Sequence, residues 1–455
     1  MQHLAALLAQ RQREGRPVTY ALIGAGRFGT TVAAQTGQMP GLRLAVVCDL
    51  NLEAARAAWA AAGVPGASVV HARTPDAVAD AVRSGRPVVT EDLEAAAGAP
   101  VEVVVEATGR PAAAARTALT AIAHGHHVVM VTVEADVLIG PLLRRQADRA
   151  GVVYTLADGD QPAVTKRLVD WATTLGYTIV AAGRGTRFFP EDAEGVPEEA
   201  FARYGYDPDL VARRRLNPKM YNSFRDGSKA QIEMCALANA TGLMPDKRGM
   251  HEPSATIADL PRLFRLRSQG GLLSREGVVD LANAIAPDGR TELPNNIAIG
   301  VWVVVRTDNP LLHEDLGFYG LPAAVEGQTA ALYRPYHLCG VETPYSILEA
   351  ALLHQATCAP LPQPVAEVIT VAKRDLEPGT ILDGSGGRYV RGLIERAEIA
   401  RAENLLPLGL ADGVRLNVAV GKGQPIRWDM VAIDESDFLV RLRRQQDAAW
   451  AEAAR

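Results

Sequence analysis

Cysteine is scarce in this chain, and its four residues stand far apart. Cys48, Cys235, Cys339 and Cys358 form no CxxC pair and have no pair of histidines nearby. That spacing indicates neither a disulfide framework nor a zinc site. Acidic residues and histidines are likewise not grouped at metal-ligand spacing, so we expect no bound metal, although a divalent ion held by carboxylates would leave little trace in a sequence.

The chain also lacks a long apolar run and an excess of basic residues. No stretch of about 18 apolar residues occurs, which argues against a membrane span. The first residues, MQHLAALLAQRQREGRP, are interrupted by charged side chains and lack the core of a signal peptide. A formal net charge of -5 gives no general attraction to nucleic acid or to an anionic membrane. We therefore expect a soluble cytoplasmic protein whose partner is a small molecule.

With 455 residues, 48% of them hydrophobic, the chain is too long for one ordinary core, and two or three domains are expected. From Val18 onward predicted strands and helices alternate, which indicates a doubly wound parallel α/β sheet of the Rossmann type. After the strand that opens at Val18, the predicted strands are 42–48, 68–71, 101–107, 127–133, 152–156 and 178–182. The predicted helices are 52–62, 75–84, 111–124, 135–149 and 162–175.

The first strand runs into a glycine-rich turn, GAGRFG, which includes Arg27 and Phe28. In a dinucleotide-binding turn, Gly24 permits the tight turn, Gly26 leaves no side chain between the backbone and a pyrophosphate, and Gly29 lets the helix pack closely on the strand. The N-terminus of the helix would face the phosphates. The turn therefore predicts a site for NAD or NADP.

Asp49 follows the second predicted strand, 20 residues after Gly29. A carboxylate there binds the ribose hydroxyls and repels a 2′-phosphate, which favours NAD. Arg27 or Arg56 could neutralise such a phosphate, so NADP stays open. The alternative for Asp49 is a turn or a helix cap. Farther along, Thr108 and Gly109 end the strand VVVEATG and are expected to line the nicotinamide half of the site.

After Gly183 the composition changes. Residues 184–226 are rich in arginine, proline, glycine and aromatic side chains, and a helical pattern returns near 227–240. A strand predicted over 296–306 indicates an α+β second domain, followed by a helix near 344–356 and a stiff proline-rich linker at 359–364. Residues 365–434 alternate short strands with glycine turns, which predicts a small β-rich unit before a charged helix at 437–455.

Three polar side chains stand out in this second region. Asp226 and Lys229 are three residues apart, so they share a face and one cleft if a helix starts at or just before Asp226. The alternative is a surface ion pair or an Asp helix cap. Arg334, in the segment ALYRPYHL, has a planar guanidinium that suits a phosphate or a carboxylate.

Taken together, several motifs resemble one family. They are GAGRFG, VEATG, VMVTVEADV, LADGDQP, AAGRGTR, NPKMYNSFRDGSKAQIEM, ALYRPYHL and AKRDLEPGTILDGSGG. The resemblance is to homoserine dehydrogenase-like oxidoreductases with a C-terminal SAF domain. That group includes the second class of 1-deoxy-D-xylulose 5-phosphate reductoisomerases and the D-apionate oxidoisomerases. It implies a dinucleotide-binding domain over 1–156, a catalytic and dimerisation domain over 157–358, an SAF domain over 365–435 and a C-terminal helix over 436–455.

The resemblance also assigns residues. It places the dinucleotide loop on Gly24, Gly26 and Gly29, and a substrate-facing polar cluster on Lys219, Asp226 and Lys229. Lys229 would donate a proton or stabilise charge, with Asp226 as its orienting partner. Where the family pattern has lysines, in an AAGKGTK-like stretch, this chain has Arg184 and Arg187. Because arginine does not give up a proton at neutral pH, these two would act as fixed cations.

These features predict an NAD(P)-dependent oxidoreductase. Its substrate would be a small anionic sugar acid or sugar phosphate. The resemblance, together with the number of cationic side chains, predicts that hydride transfer is coupled to rearrangement of the carbon skeleton, and the resemblance also implies a homodimer or higher homo-oligomer. The predicted catalytic residues are Lys219, Asp226, Lys229, Arg184, Arg187 and Arg334. One alternative is a simple hydroxy-acid or polyol dehydrogenase of the homoserine dehydrogenase type. Another is a dinucleotide-sensing regulatory protein, in which Arg184 and Arg187 would mark lost catalysis.

Overall fold

The computed structural model describes residues 4–203, 205–214 and 216–453. The chain forms two compact units. The first takes in the residues up to Ala163, Leu338–Pro362 and the chain from Leu442, and the second comprises Val164–His337 and Gln363–Arg441. Residues 1–3, 204, 215, 454 and 455 of the predicted domain ranges lie outside the described residues.

The helices and strands are named in chain order. The α-helices are α1 Leu4–Arg13, α2 Arg27–Thr36, α3 Leu52–Ala61, α4 Pro75–Arg83, α5 Leu93–Ala97, α6 Pro111–Ala123, α7 Val133–Ala150, α8 Gln161–Thr174, α9 Ala200–Arg203, α10 Pro208–Arg214, α11 Pro218–Arg225, α12 Ser228–Thr241, α13 Leu260–Leu263, α14 Pro310–Phe318, α15 Thr343–Leu348, α16 Ala397–Ala402 and α17 Phe438–Ala453. The strands are β1 Val18–Ile23, β2 Leu42–Cys48, β3 Val70–His71, β4 Val88–Thr90, β5 Val103–Glu106, β6 His127–Met130, β7 Tyr154–Leu156, β8 Thr178–Thr186, β9 Met244–Pro245, β10 Val278–Asn283, β11 Val301–Arg306, β12 Ala323–Ala324, β13 Thr329–Arg334, β14 Ala366–Ala372, β15 Val390–Arg396, β16 Arg415–Leu416 and β17 Val431–Ala432.

The first unit is built on a seven-stranded sheet in the order β3-β4-β2-β1-β5-β6-β7. Its paired strands are all parallel. β1 is buried along most of its length, as expected for a strand covered on both faces by helices. Strand order reverses between β1 and β5, and in such sheets ligands bind beyond the carboxyl ends of the strands at that point. The predicted Rossmann-type sheet is confirmed.

Two elements of this sheet region were missed from the sequence, and four strands were predicted too long. The strands predicted over 68–71 and 152–156 begin two residues later in the structure, at Val70 and Tyr154. The missed elements are β4, with three residues, and α5, with five, which are too short to produce a periodic pattern. The strands predicted over 101–107 and 127–133 are shorter in the structure, because the chain turns away from the sheet at their carboxyl ends. α7 already begins at Val133.

The second unit contains a six-stranded mixed sheet in the order β12-β13-β11-β8-β10-β9. β8, β10 and β9 are parallel, whereas β11 and β13 are antiparallel to their neighbours. Its core includes Phe264 stacked on Trp302, with ring centroids 4.2 Å apart. The strand predicted over 296–306 is present as β11, which starts later, at Val301.

The end of β8 was predicted too early. We expected the strand to end at Ala182, just before the change of composition, but β8 continues to Thr186. A Cβ at Gly183 would lie 1.7 Å from Asp280 O, and one at Gly185 would lie 1.7 Å from Ile297 O. These glycines therefore allow close approach of the neighbouring backbone and do not mark a turn. As a result, Arg184 lies inside a central strand.

The C-terminal segment folds into short β-elements, as predicted. β14 and β15 form an antiparallel pair from Ala366 opposite Arg396 to Ala372 opposite Val390. The buried side chain of Asn239, on α12, accepts hydrogen bonds from the backbone N–H groups of Val365 and Ala366. It also donates to Ala366 O over 3.2 Å. The hairpin is thereby attached to α12.

Two further findings concern helices. The helix predicted over 344–356 is an α-helix only as far as Leu348 and continues as a π-helical turn over Glu349–Leu353. Among the helices of the described residues, none combines the length and the hydropathy that crossing a membrane requires.

Candidate active site

The three glycines of the first turn have three different surroundings. Gly24 has a φ of +102°, and a Cβ there would lie 2.4 Å from Ala107 O, so only glycine fits. A Cβ at Gly29 would lie 2.1 Å from Gly24 O. A Cβ at Gly26 would meet no atom within 4 Å. The protein alone thus requires Gly24 and Gly29, and it leaves open space beside Gly26.

That open space lies at the N-terminus of α2, for which Gly26 is the capping residue. No side chain caps this end, and its first turn holds no acidic residue. Arg27 and Phe28 are the first two residues of the helix, and Phe28 packs against the core of the first unit. An uncapped helix N-terminus attracts a phosphate. The residues present therefore fit the pyrophosphate of a dinucleotide.

Asp49 connects this turn to the end of β2. One carboxylate oxygen accepts a hydrogen bond from Ala25 N over 2.7 Å, and the other accepts from Asn51 N over 2.8 Å. Of the two alternatives considered for Asp49, the turn role is present, whereas Asn51 and not Asp49 caps α3. The carboxylate lies beside the glycine turn, as binding of a ribose would require.

Thr108 and Gly109 are positioned by a carboxyl group that the sequence did not single out. Glu106, wholly buried at the end of β5, accepts hydrogen bonds from Thr108 N and Thr108 Oγ1. Thr132 N donates to its other oxygen, and Gly109 N donates to Thr132 Oγ1 over 2.9 Å. Burial raises the pKa of Glu106, and these hydrogen bonds oppose the rise. The loops after β5 and β6 are thereby held together.

In the second unit, Arg184 and Lys229 meet at one carboxylate. The buried guanidinium of Arg184 is ion-paired with Glu233, on α12. Lys229 Nζ lies 3.9 Å from the other oxygen of Glu233. The carboxylate is almost wholly buried, and it is paired as a buried charge must be. Two of the predicted catalytic residues are thus brought together.

Asp226 has a different partner from the one we expected. α12 starts at Ser228, so Asp226 precedes the helix that carries Lys229, and its carboxylate accepts a hydrogen bond from Ser228 N. Its ion pair is with Lys373 Nζ, at 2.6 Å, and both side chains are wholly buried. Burial raises the pKa of Asp226 and lowers that of Lys373, while their mutual attraction opposes both shifts. The predicted pairing of Asp226 with Lys229 is replaced by this one.

Lys373 belongs to the C-terminal segment and binds two backbone carbonyl groups as well. Its ammonium donates to Gly195 O over 3.0 Å and to Gly387 O over 2.6 Å. Asn222, buried on α11, donates to Gly195 O and to Gly386 O, each over 2.9 Å. The C-terminal segment is therefore built into the polar centre of the second unit.

The remaining predicted catalytic residues are more exposed. Lys219 Nζ lies 3.2 Å from Asp412, and Arg187 is ion-paired with Glu292 at 2.6 Å. The guanidinium of Arg334 lies 4.4 Å from the ring centroid of Tyr336. In the sheet, however, Arg184 and Arg334 stand on either side of Val301 in register, so their side chains share one face.

Glu252 is a further polar residue that sequence reasoning missed. It lies in the loop after β9, and Thr186 Oγ1 donates a hydrogen bond to its Oε1 over 2.8 Å. Burial is the main cause that raises the pKa of Glu252 to about 7, and the nearby carboxylate of Asp280 adds to the rise.

Among the described residues, no group of three or more His, Cys, Asp or Glu side chains is arranged to hold a metal ion.

Comparison with protein families identifies two parts of the chain. Residues 159–343 match the catalytic domain of the family described as oxidoreductase DRL, and residues 367–432 match the SAF domain. These matches confirm the predicted oxidoreductase class and the predicted SAF domain. No curated protein matches the chain significantly.

Several solved structures resemble parts of the chain at low sequence identity. An oxidoreductase from Agrobacterium radiobacter, in complex with NAD+, L-tartaric acid and magnesium, is 15% identical over 37% of this chain and 44% of its own, with a TM-score of 0.28. The 1-deoxy-D-xylulose 5-phosphate reductoisomerase from Zymomonas mobilis, in complex with NADPH, is 15% identical over 48% of this chain and 57% of its own, with a TM-score of 0.34.

A protein from Klebsiella pneumoniae described as an oxidoreductase is 17% identical over 75% of this chain and 87% of its own, with a TM-score of 0.35. The chain spans about half the length of the Agrobacterium and Zymomonas proteins. TM-scores this low support no inference about activity.

The glycine turn yields a paired prediction. Gly26→Ala should fold normally, because its methyl group meets no protein atom, but it should weaken dinucleotide binding by occupying the path of the pyrophosphate. Gly29→Ala should lower the free energy of unfolding by about 1–3 kcal/mol, because its methyl group overlaps Gly24 O. Urea unfolding measures the change in stability, and fluorescence titration with NADH and NADPH measures the change in binding.

A further prediction concerns the choice of cofactor. Wild-type protein should bind NADH more tightly than NADPH because of the Asp49 carboxylate, and tighter binding of NADPH in the fluorescence titration would contradict this.

The Lys373–Asp226 pair yields a second prediction. Lys373→Met should lower the free energy of unfolding by about 3–5 kcal/mol, because it leaves a buried carboxylate without its ion-pair partner. Adding Asp226→Asn should recover part of that loss, since the amide keeps the hydrogen bond from Ser228 and carries no charge. Urea unfolding of the two single variants and the double variant gives the coupling energy. Strict additivity of the two changes would show that the pair is not coupled.

Proposed function

We propose that this oxidoreductase uses NAD or NADP to oxidise or reduce a small anionic sugar acid or sugar phosphate and that it rearranges the carbon skeleton in the same reaction. The proposal rests on the presence of two candidate sites in one chain, one for the cofactor and one for the substrate. The first unit offers an uncapped helix N-terminus beside an open glycine turn, and the second holds a buried cluster of Arg184, Lys229 and Glu233.

The first unit supports the cofactor part of the proposal. The space beside Gly26 suits the pyrophosphate, and the Asp49 carboxylate suits the ribose hydroxyls. Glu106 and Thr132 fix Thr108 and Gly109, the residues proposed to line the nicotinamide. When bound, the cofactor supplies or accepts a hydride. These side chains would hold it in position and take no part in bond breaking.

The second unit supports the substrate part. Arg184 is a fixed cation, since arginine keeps its proton, and Lys229 lies beside the same carboxylate. Rearrangement through an enediolate needs positive charge near two adjacent oxygens, more than a plain alcohol oxidation requires. Arg334, in register with Arg184 across Val301, could bind the anionic group of the substrate. Arginine in place of lysine at 184 and 187 favours a carboxylate-bearing sugar acid.

A plain hydroxy-acid or polyol dehydrogenase is the second candidate, and one observation favours it. Lys219 and Arg187 are partly exposed and are ion-paired with Asp412 and Glu292. Fewer cations are therefore gathered at the buried cluster than the sequence led us to expect.

The proposed function includes assembly of the chain into a homodimer or higher homo-oligomer. Measuring the molar mass in solution tests this assembly.

A substrate screen tests the proposal. Sugar acids and sugar phosphates are supplied with each cofactor, and nicotinamide absorbance is followed. Supplying the active compound labelled with ¹³C at position 3 or 4 should then give a product whose carbon connectivity has changed, as read by NMR. Unchanged connectivity with normal hydride transfer would leave the plain dehydrogenase. If no compound changes the absorbance, the proposed activity is wrong for these substrate classes.

Replacing Lys229 tests the cluster directly. Lys229→Met should lower kcat by about 10²-fold or more, because a group that supplies a proton or stabilises charge in the transition state is lost. The affinity for NADH should not change, since the glycine turn and Asp49 belong to the other unit. Lys422→Met, which removes an exposed lysine paired with Glu194, is the matched control. Normal turnover of Lys229→Met would move the role to Lys219.

A further inference from the structure

Glu252 lies where parallel strands of the second unit end. β8 pairs with β10, and β10 pairs with β9, all in the same direction. Thr186, the last residue of β8, holds Glu252 Oε1 through its hydroxyl group. Substrates are commonly bound beyond the carboxyl ends of parallel strands. The position alone makes Glu252 a candidate for contact with a substrate.

The backbone around Glu252 is held in an unusual conformation. Met250 and Glu252 have φ values of +68° and +48°, which residues other than glycine seldom adopt. The buried carboxylate of Asp280 fixes this loop, because its Oδ1 accepts from the backbone N–H groups of His251 and Glu252, each over 3.0 Å. Its Oδ2 lies 2.7 Å from His251 Nδ1. Strain held in this way is concentrated at functional sites.

One oxygen of the Glu252 carboxyl group is not used by the protein. Oε1 accepts from Thr186, whereas within the described part of the chain no donor reaches Oε2, and Glu252 is only partly buried. The charged groups that act on the carboxyl are Asp280, Arg391 and Arg184. Arg184 is committed to Glu233, and Arg391, on β15, makes no ion pair with any described residue.

We propose that Glu252 is a catalytic residue whose Oε2 takes the proton from the substrate hydroxyl that is oxidised and returns it in the reverse direction. This inference rests on the proposed function. In oxidation the O–H bond would break and its proton would bind Oε2, and the C=O bond would form as the carbon loses hydride. The oxidised nicotinamide, which the glycine turn and Asp49 would hold, would accept that hydride. The positive charges of Arg391 and Arg184 favour the ionised form of Glu252 that oxidation needs.

The direction of the pH dependence follows from which form of the carboxyl group is needed. A pKa of about 7 means that both forms are present near neutral pH. Oxidation needs the ionised carboxylate, so its kcat should rise as the pH increases through about 7. Reduction needs the protonated acid, so its kcat should fall over the same range. Opposite limbs in the two directions of one reaction identify a single proton-transfer group.

Three variants test the assignment on the substrate that the screen identifies. Glu252→Gln keeps the hydrogen bond to Thr186 and should lower kcat by about 10²- to 10⁴-fold while abolishing the pH limb. Thr186→Val removes a hydrogen bond that lowers the pKa of Glu252. In this variant, the change of kcat with pH should therefore persist but occur at higher pH. Glu326→Gln, at an exposed glutamate paired with Arg265, is the control and should leave rate and limb unchanged.

A second measurement needs no substrate. Infrared difference spectra of the intact protein against Glu252→Gln should show one carboxyl C=O band that disappears as the pH is raised through about 7. Absence of this band, or wild-type rates and pH profiles in Glu252→Gln, would overturn the role of Glu252 and leave the proposed function standing. If no substrate is turned over, the proposed function fails, and the proton-transfer role fails with it even where the band titrates.

Discussion

The second unit depends on a lysine that has been removed from water. Taking an ammonium group out of water costs several kcal/mol, and only close attraction together with filled hydrogen bonds offsets that cost. Lys373 meets both conditions, because it lies 2.6 Å from Asp226 and donates to the carbonyl groups of Gly195 and Gly387. Its three partners come from different parts of the chain. One buried charge therefore joins the residue that follows α11, the loop before α9 and the SAF segment.

This arrangement also explains the local crowding of the backbone. A Cβ at Gly386 would lie 1.9 Å from Lys219 O, and Asn222 donates to Gly386 O. The SAF loop can approach α11 this closely because it carries no side chain at that position. Close backbone packing therefore contributes to the polar centre together with the buried ion pair. The SAF segment therefore contributes directly to the buried polar centre of the second unit.

The first unit could largely be predicted from the sequence, and the reason is physical. Strands buried on both faces give continuous apolar runs, and the turn after β1 requires glycine at two positions on steric grounds alone. The pairing in the second unit could not be predicted, because Lys373 and Asp226 are far apart in sequence and no local pattern links them. Glu252 could not be identified from the sequence for a related reason, because its backbone conformation and its pKa depend on tertiary packing.

The chain passes between the two units more than once, and this bears on its synthesis. The first unit contains Leu338–Pro362 and the residues from Leu442, so it is not a continuous N-terminal segment. Gln446, on α17, donates to Leu138 O and accepts from Leu142 N, both on α7. Domains usually fold one after another as they leave the ribosome, the N-terminal one first. Here all seven strands of the parallel sheet precede Ala163, whereas Gln446, which binds α7 of that unit, follows the whole of the second unit. The sheet can therefore form early, but α7 gains its contacts with α17 only after the second unit has been synthesised.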